Sequence, residues 1–275
     1  MTPLLSARFS VDYPNKPGVL RDVELEIRAG EIVGLVGESG SGKSTIALSL
    51  LQLLDHKGGR VRGEILFDGC DLLKLRPREM RRIRGRDMAL ILQSPLSSLN
   101  PVLRIGSQLE EAWRAHNSDA AAWKQRALEL FHLVSLPAEE AFFERYPRQL
   151  SVGQAQRVLI AMAILHKPRL LIADEATSAL DAITQAETLA LFRRLNREMG
   201  MAMLFISHDL LAVASLCSRI AILRQGRIVE SGPTREMFRA PRTEDTRALL
   251  EAVLRNSSAA SEMMPDPVNL AALND

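Results

Sequence analysis

Eight consecutive residues, Gly37-Glu38-Ser39-Gly40-Ser41-Gly42-Lys43-Ser44, have the types and spacing to hold a chain of phosphates. They fit G-x-x-x-x-G-K-[ST], a loop whose backbone N–H groups converge on one point. A helix expected to run on from Thr45 adds the positive end of its dipole there. Lys43 has the reach for β- and γ-phosphates, and the Ser44 hydroxyl can ligate Mg2+. The spacing therefore predicts binding of a nucleoside triphosphate through Gly37, Glu38, Ser39, Gly40, Ser41, Gly42, Lys43, Ser44 and Thr45. A glycine-rich turn matching by chance would lack the flanking pattern: a β-branched apolar run, Glu31–Val36, before it and a helical run, Thr45–Leu51, after it.

A second constellation is Arg169-Leu170-Leu171-Ile172-Ala173-Asp174-Glu175, an apolar strand ending in two adjacent carboxylates. Buried carboxylates are costly without a metal or hydrogen-bond donors. Beside a phosphate loop, the first suits Mg2+ held through its water shell, which assigns Asp174. Glu175 then polarises the attacking water as general base. The plain alternative is a strand-end turn with two solvated acids.

Positioning these groups requires strands that end together. Buried strands are expected at Glu31–Val36, Met88–Leu92, Arg169–Ala173 and Ala202–Ile206, with Ala182–Glu198 as a crossover helix. Apolar runs alternating with helices imply a parallel sheet covered on both faces. Val23–Ile27 alternates apolar and charged residues, and Gly63–Gly69 ends in Asp-Gly, both signs of antiparallel strands. Val11–Gly18, with two prolines and a glycine, reads as a turn region between strands. From about Val102 to Leu165 strand formers thin out and stretches such as Ala120–Leu136 carry helical periodicity. Arg219–Leu223 and Arg227–Glu230 form a hairpin around Gln225-Gly226. Ser257–Asp275, rich in Ser, Ala, Pro and Asn, reads as a loosely held tail.

Composition excludes several classes. At 275 residues, 47% hydrophobic and 25% charged, the chain suits one large domain with a subdomain. A net charge of +2 is too balanced for a nucleic-acid binder, and no nucleic-acid partner is expected. Cys70 and Cys217 form no paired or metal-ligating motif, in keeping with a reducing compartment. Met1–Ala7 lacks the pattern of a signal peptide, and the apolar run Val158–Leu165 is far short of a membrane span. A soluble, cytoplasmic chain is expected, reaching a membrane through partners. Arg76, Arg78, Arg81, Arg82, Arg84 and Arg86 form a basic run, read as a solvated helix face, with docking near an anionic membrane as the alternative.

Leu150-Ser151-Val152-Gly153-Gln154 precedes another helical run, and with it the chain resembles the ATP-binding cassette family, whose signature is L-S-G-G-Q. The likeness runs from about Tyr13 to Gly232 and rests on order: Gly37–Ser44, Gln93 at a strand end, the Leu150 signature, Asp174-Glu175, Ser178-Ala179-Leu180-Asp181, and His208 after a strand. It implies an α/β fold, a P-loop NTPase with a RecA-like parallel sheet core, an antiparallel β subdomain and a mostly helical insert at about 97–165. The ATPase domain would cover 1–255 and the tail 256–275.

The resemblance also implies roles. Two cassettes close head to tail, each sandwiching ATP between its own P-loop and its partner's signature, so Ser151, Gly153 and Gln154 serve the partner's site. Gln93 touches Mg2+ or the lytic water, which with Ser44 and Asp174 gives the metal set. Glu175, His208, Gln93 and Lys43 are the catalytic set, Tyr13 stacks on adenine, and Asp181 shapes the dimer seam. Val152 stands where glycine is usual: strained if that position needs a positive φ, tolerated if it is helical. Ala176 replaces a common proline, with little effect expected.

Gln93–Pro101 is similar to the corresponding stretch of ATPase subunits of peptide and nickel importers, and Pro241–Leu250 to their C-terminal segment. Thr243-Glu244-Asp245, however, stands where His-Pro-Tyr is usual. The likeness implies two membrane-spanning permease subunits, a second ATPase subunit (same or different chain), an external solute-binding protein, and a peripheral position on the cytoplasmic face of the inner membrane. The insert after Gln93 would receive a short helix of the permease. Without a cysteine beyond Cys217, no iron–sulfur centre is expected. The alternatives are a soluble cassette protein acting on nucleic acid or ribosomes, and a slow regulatory subunit.

Overall fold

The structure, a computed structural model, describes residues 2–54, 58–117, 119 and 122–258. A hairpin, β1 (Leu5–Tyr13) and β2 (Lys16–Ile27), leads to β3 (Ile32–Val36) and α1 (Lys43–Leu50). Next come β4 (Arg60–Phe67), β5 (Cys70–Asp71), α2 (Pro77–Ile83) and β6 (Met88–Ile91). Five helices follow before the next strand: α3 (Pro95–Ser98), α4 (Ile105–Arg114), α5 (Trp123–Leu133), α6 (Glu140–Phe143) and α7 (Val152–Ala163). Then come β7 (Leu170–Asp174), α8 (Ala182–Met199), β8 (Ala202–Ser207), α9 (Leu210–Leu216), β9 (Arg219–Arg224) and β10 (Arg227–Pro233). Two helices, α10 (Thr234–Arg239) and α11 (Glu244–Ser258), complete the described chain.

The larger sheet has the order β10-β9-β3-β8-β7-β6, parallel except for β10. Every residue of β3, β7 and β8 is buried, and side-chain alternation divides each strand between two cores. In β7, Leu170 and Ile172 join a core with α1 and the antiparallel sheet, while Leu171 and Ala173 join one with the helical segment, α8 and α9. Burial on both faces is why these strands read as continuous apolar runs. The smaller sheet, β2-β1-β4-β5, is antiparallel, and Asp68-Gly69, both at positive φ, make the tight turn into β5.

The turn region expected over Val11–Gly18 is smaller than its composition suggests. β1 continues to Tyr13 and β2 begins at Lys16, leaving Pro14-Asn15 as the turn. Pro17 fits inside β2 because β2 is an edge strand, where a missing N–H breaks no ladder. The Gly18 N–H donates to the Asp12 carboxylate at 2.6 Å, and register shifts along the hairpin absorb the irregularity. The helical reading of Ala120–Leu136 narrows to α5, with 120 and 121 outside the described residues. The tail expected from 256 overlaps the end of α11 as far as Ser258, and 259–275 also lie outside them.

The basic run is solvated at Arg76, Arg78, Arg81, Arg82 and Arg86, as expected, and departs from that reading only at half-buried Arg84. Exposed Arg76 pairs with Glu79 at 2.8 Å, while the Arg84 guanidinium donates to the carbonyls of Leu51 (2.7 Å) and Gln52 (2.8 Å). Arg84 thus ties the approach to β6 to the end of α1. Trp113 and Trp123 pack within the helical segment, Trp123 against Phe143 and Trp113 along His166.

Candidate functional site

Strand register brings the chemistry-bearing residues to one end of the parallel sheet. Val36 lies beside Ser207, Asp174 beside Ile206, and Ala173 beside Ile91. The next residues along each strand are therefore Gly37, His208, Glu175 and the Leu92-Gln93 pair, at the carboxyl ends of four strands. Ligands of open α/β sheets bind at this edge.

The Gly37–Ser44 loop keeps its shape through glycines. A Cβ on Gly37 would lie 2.2 Å from the Leu223 carbonyl oxygen, and Gly42, at φ 111°, is the residue that starts α1. Gly40, at φ 79°, faces open space. Glu38, Ser39 and Gly40 are exposed, while Lys43 is buried and donates from Nζ to the carbonyls of Gly37 (2.8 Å) and Glu38 (3.0 Å). Burial lowers the Lys43 ammonium below the usual lysine range, opposed by the charges of Glu175 and Asp174. The Ser41 Oγ is buried without a partner inside the loop.

Asp174 is buried, and its Oδ1 has no hydrogen-bond partner. Burial raises its carboxyl above the ordinary range; a hydrogen bond with Ser44 and the Lys43 charge oppose this, and the Glu175 charge adds to it. An orphaned carboxylate oxygen beside a serine hydroxyl fits Mg2+, which takes one or two protein oxygens and completes its shell with phosphate and water. Among the described residues no group of three or more His, Cys, Asp or Glu forms a cage for another metal.

Glu175 follows at φ 52°, its N–H bonded to the Ile206 carbonyl at 2.9 Å and its Oε2 2.8 Å from His208 Nδ1. His208 is held on a corner that sequence reading missed. Asp209 caps α9 through the N–H groups of Leu211 and Ala212, and its other oxygen accepts from Gln185 of α8 at 2.8 Å. An acid directly after His208 and before a helical run was the available signal. Gln93 is exposed just past β6, level with Glu175. Tyr13, half-buried, lies two residues beyond Val11, whose strand partner Leu20 reaches Gly42. Its ring rests against Gly59, and Thr45 lies within α1.

The signature lies apart from this cluster. Ser151 caps α7: its Oγ accepts from the Gln154 N–H (3.1 Å), and the Gln154 side chain accepts from the Ser151 N–H (3.2 Å). Accepting leaves the hydroxyl proton free to donate outward. Gly153 has Thr184 as its nearest outside neighbour, so the signature sits beside the start of α8. Val152 opens α7 in the helical region, which settles its question: a β-branched residue is tolerated there. Asp181 caps α8 through the N–H groups of Ile183 and Thr184 and the Thr184 hydroxyl. That capping is a task its sequence context did not disclose.

Residues 20–178 match the family model described as ABC transporter. The chain is 44% identical over 233 residues to the dipeptide transport ATP-binding protein DppD of Haemophilus influenzae, covering 84% of this chain and 70% of that protein. It is 43% identical over 253 residues to the glutathione import ATP-binding protein GsiA of Pectobacterium atrosepticum, covering 90% of this chain but spanning 41% of that relative's length. Among solved structures, a dimeric ATP-binding cassette in a post-hydrolysis state with ADP and Pi superposes with a TM-score of 0.71 at 29% identity, covering 84% of this chain and 99% of the other. With most of the sequence matched and the fold shared, this chain belongs to the ABC transporter family.

Proposed function

We propose that this chain is the ATP-binding and ATP-hydrolysing subunit of a multi-subunit importer, with a small peptide as the cargo. The convergence of Lys43, Asp174, Glu175 and His208 at one sheet edge carries the reading. Lys43 exchanges the Gly37 and Glu38 carbonyls for phosphate oxygens, while the Gly37–Ser44 N–H groups cradle the rest of the chain. Ser44, Asp174 and Gln93 hold Mg2+, which offsets phosphate charge and fixes the phosphates in place. Glu175 takes the proton of the attacking water. His208 donates to Glu175 from Nδ1 and orients its carboxylate, leaving Nε2 to face the γ-phosphate. Tyr13 lies along the adenine. Ser151, Gly153 and Gln154 complete the site of a second ATPase subunit, with Asp181 at the seam between the two.

The dipeptide and glutathione named for the relatives support the peptide cargo. Leu92, Leu96 and Val102, on the stretch of chain that carries Gln93 and α3, expose 45%, 43% and 76% of their surface. This apolar rim suits a permease helix. No described helix is long and apolar enough to cross a membrane, and the proposed place is peripheral, on the permease's cytoplasmic side. A solute-binding protein outside would deliver the cargo.

The test is steady-state ATP turnover alongside nucleotide binding. Glu175→Gln should keep MgATP binding and lose turnover by about 10²–10⁴-fold. Lys43→Ala should lose binding itself. Wild-type turnover in Glu175→Gln, or wild-type affinity in Lys43→Ala, overturns the assignment.

A further inference from the structure

At the opposite end of β6 and β7 from the phosphate loop is a cavity of about 370 Å3 between the helical segment and the sheet. Its wall comes from the end of α4, from α5, from the turn after α7 and from the loop before β6. Arg86, Arg126 and Lys167 bring three cations to it, against one carboxylate, Glu129. Glu129 is already engaged by Arg126 at 3.2 Å. Arg86 and Lys167 make no ion pair among the described residues. Arg126 is fixed from behind, donating from Nε to the Leu165 carbonyl at 3.3 Å with its side chain 19% exposed.

The aromatic wall is as well fixed. Trp113 stacks along His166 with ring centroids 5.7 Å apart and an interplanar angle of 22°. The Trp113 indole N–H is taken by the Asp119 carbonyl at 2.6 Å, and His166 by the Ala112 carbonyl and Asn117. The rings thus offer faces, and Arg86 and Lys167 add cationic donors not taken up by an ion pair, beside the polar side chains of His116 and Asn117. Burial lowers His166 below the usual imidazole range; the hydrogen bond with the Ala112 carbonyl opposes this, and the charges of His116, Arg126 and Arg86 add to it. Cationic donors beside an aromatic face, in a cleft of this size, suit a small anion able to take several charge-assisted hydrogen bonds.

We propose that this cavity binds a small, soluble, phosphate-bearing anion, separate from the nucleotide at the phosphate loop. Arg86 lies just before β6, which leads to Gln93, and Lys167 just before β7, which leads to Asp174 and Glu175. Each strand path is about 20 Å long. A ligand held by Arg86, Lys167 and Arg126 pins α5 to the starts of both strands and so restrains the helical segment against the sheet. This site does not depend on the transport reading.

The experiment is tryptophan fluorescence of the full chain with MgADP saturating the phosphate loop, titrated with inorganic phosphate and with pyrophosphate. Sodium chloride at matched ionic strength is the control. The chain has two tryptophans, Trp113 at the cavity and Trp123 packed on Phe143. A saturable change is expected, with affinity weakened by about tenfold or more in Arg86→Gln/Lys167→Gln. Both side chains are exposed, and the double variant should keep the parent's melting temperature and MgADP affinity. Should it unfold, Lys167→Gln alone is read, with weakened binding again expected. A response equal to that of chloride overturns the proposal. So does a saturable response that the substitutions leave unchanged, which would place the anion at the nucleotide site. Phosphatidylcholine vesicles with and without phosphatidic acid form the last arm, and a response to the acidic vesicles without one to soluble phosphates overturns the assignment to a soluble ligand.

Discussion

Glu175 occupies a backbone conformation that non-glycine residues seldom take, and it does so one step after a fully buried strand. Positive φ costs a residue of this type on the order of 1–3 kcal/mol, and such strain gathers where geometry serves function. Here the turn follows the last rung of the β7–β8 ladder and swings the carboxylate onto His208. Asp174, its neighbour, carries the opposite tension. Because its folded pKa is raised, its stabilising contribution is full below the unfolded carboxylate value and is lost as pH rises through the folded one. Once ionised, the side chain therefore burdens the nucleotide-free fold. Asp174→Asn should raise the melting temperature of the nucleotide-free protein at pH 7 and, on the proposed role of Asp174, remove the gain in ATP affinity expected from added Mg2+. Thermal unfolding and ATP titrations with and without Mg2+ check both. A lower melting temperature in Asp174→Asn would show that its carboxylate stabilises the empty site.

Elements that rest on local pattern were legible in the sequence, and those that rest on distant contacts were not. β3, β7 and β8 announced themselves as apolar runs, and Lys43–Leu50 followed from the loop before it. The α7 cap was half-legible: Ser151 with Gln154 three residues later is a capping box, but it was read for phosphate contact alone. Ser151→Ala should therefore cost roughly 0.5–2 kcal/mol of stability in the isolated chain, measured by denaturant unfolding, apart from any loss of turnover. No cost would mean the cap is idle. The C-terminal segment was illegible, because its partner lies elsewhere in the chain. Burial pushes the Glu230 carboxyl up, yet bonds from the Thr246 side chain, the Arg242 and Thr243 N–H groups and the Thr243 hydroxyl outweigh it and hold it at about 2. Asp245 meets Arg224 of β9. Thr243 and Asp245, where His-Pro-Tyr is usual, thus dock α11 in their own way. With a depressed folded pKa, the Glu230 contribution is present above about 4.5 and is lost as pH falls toward about 2. Hydrogen exchange of residues 243–250 should be slow at pH 7 and rise in Glu230→Gln. Equal protection in the variant would show that these bonds do not hold the helix.

For the whole molecule, the register of six strands accounts for the site more fully than any motif does. Motif order identified which residues matter, but their meeting at one edge is a property of the parallel sheet, whose pairings join residues more than a hundred positions apart. The same architecture leaves the signature on another surface. Ser151 and Gly153 take their neighbours from α7 and α8, and Ser151 and Gln154 hydrogen-bond to each other rather than to the Gly37–Thr45 loop. On the proposed reading, one chain supplies two half-sites, and both are completed by the same partner in a head-to-tail pair. The Ser151 hydroxyl keeps its own proton to donate, and the N-terminal end of the α7 dipole favours an anion there.

The dependence of ATP turnover on subunit concentration tests this most directly. If catalysis needs Ser151 and Gly153 from a second subunit, the specific activity of the purified chain at saturating MgATP rises with its concentration and levels off when paired. Ser151→Ala chains mixed with Lys43→Ala chains should recover less than half of the wild-type rate, because each mixed pair retains one site that joins an intact phosphate loop to an intact signature. Specific activity that stays constant down to concentrations where sedimentation shows only monomer would contradict the account.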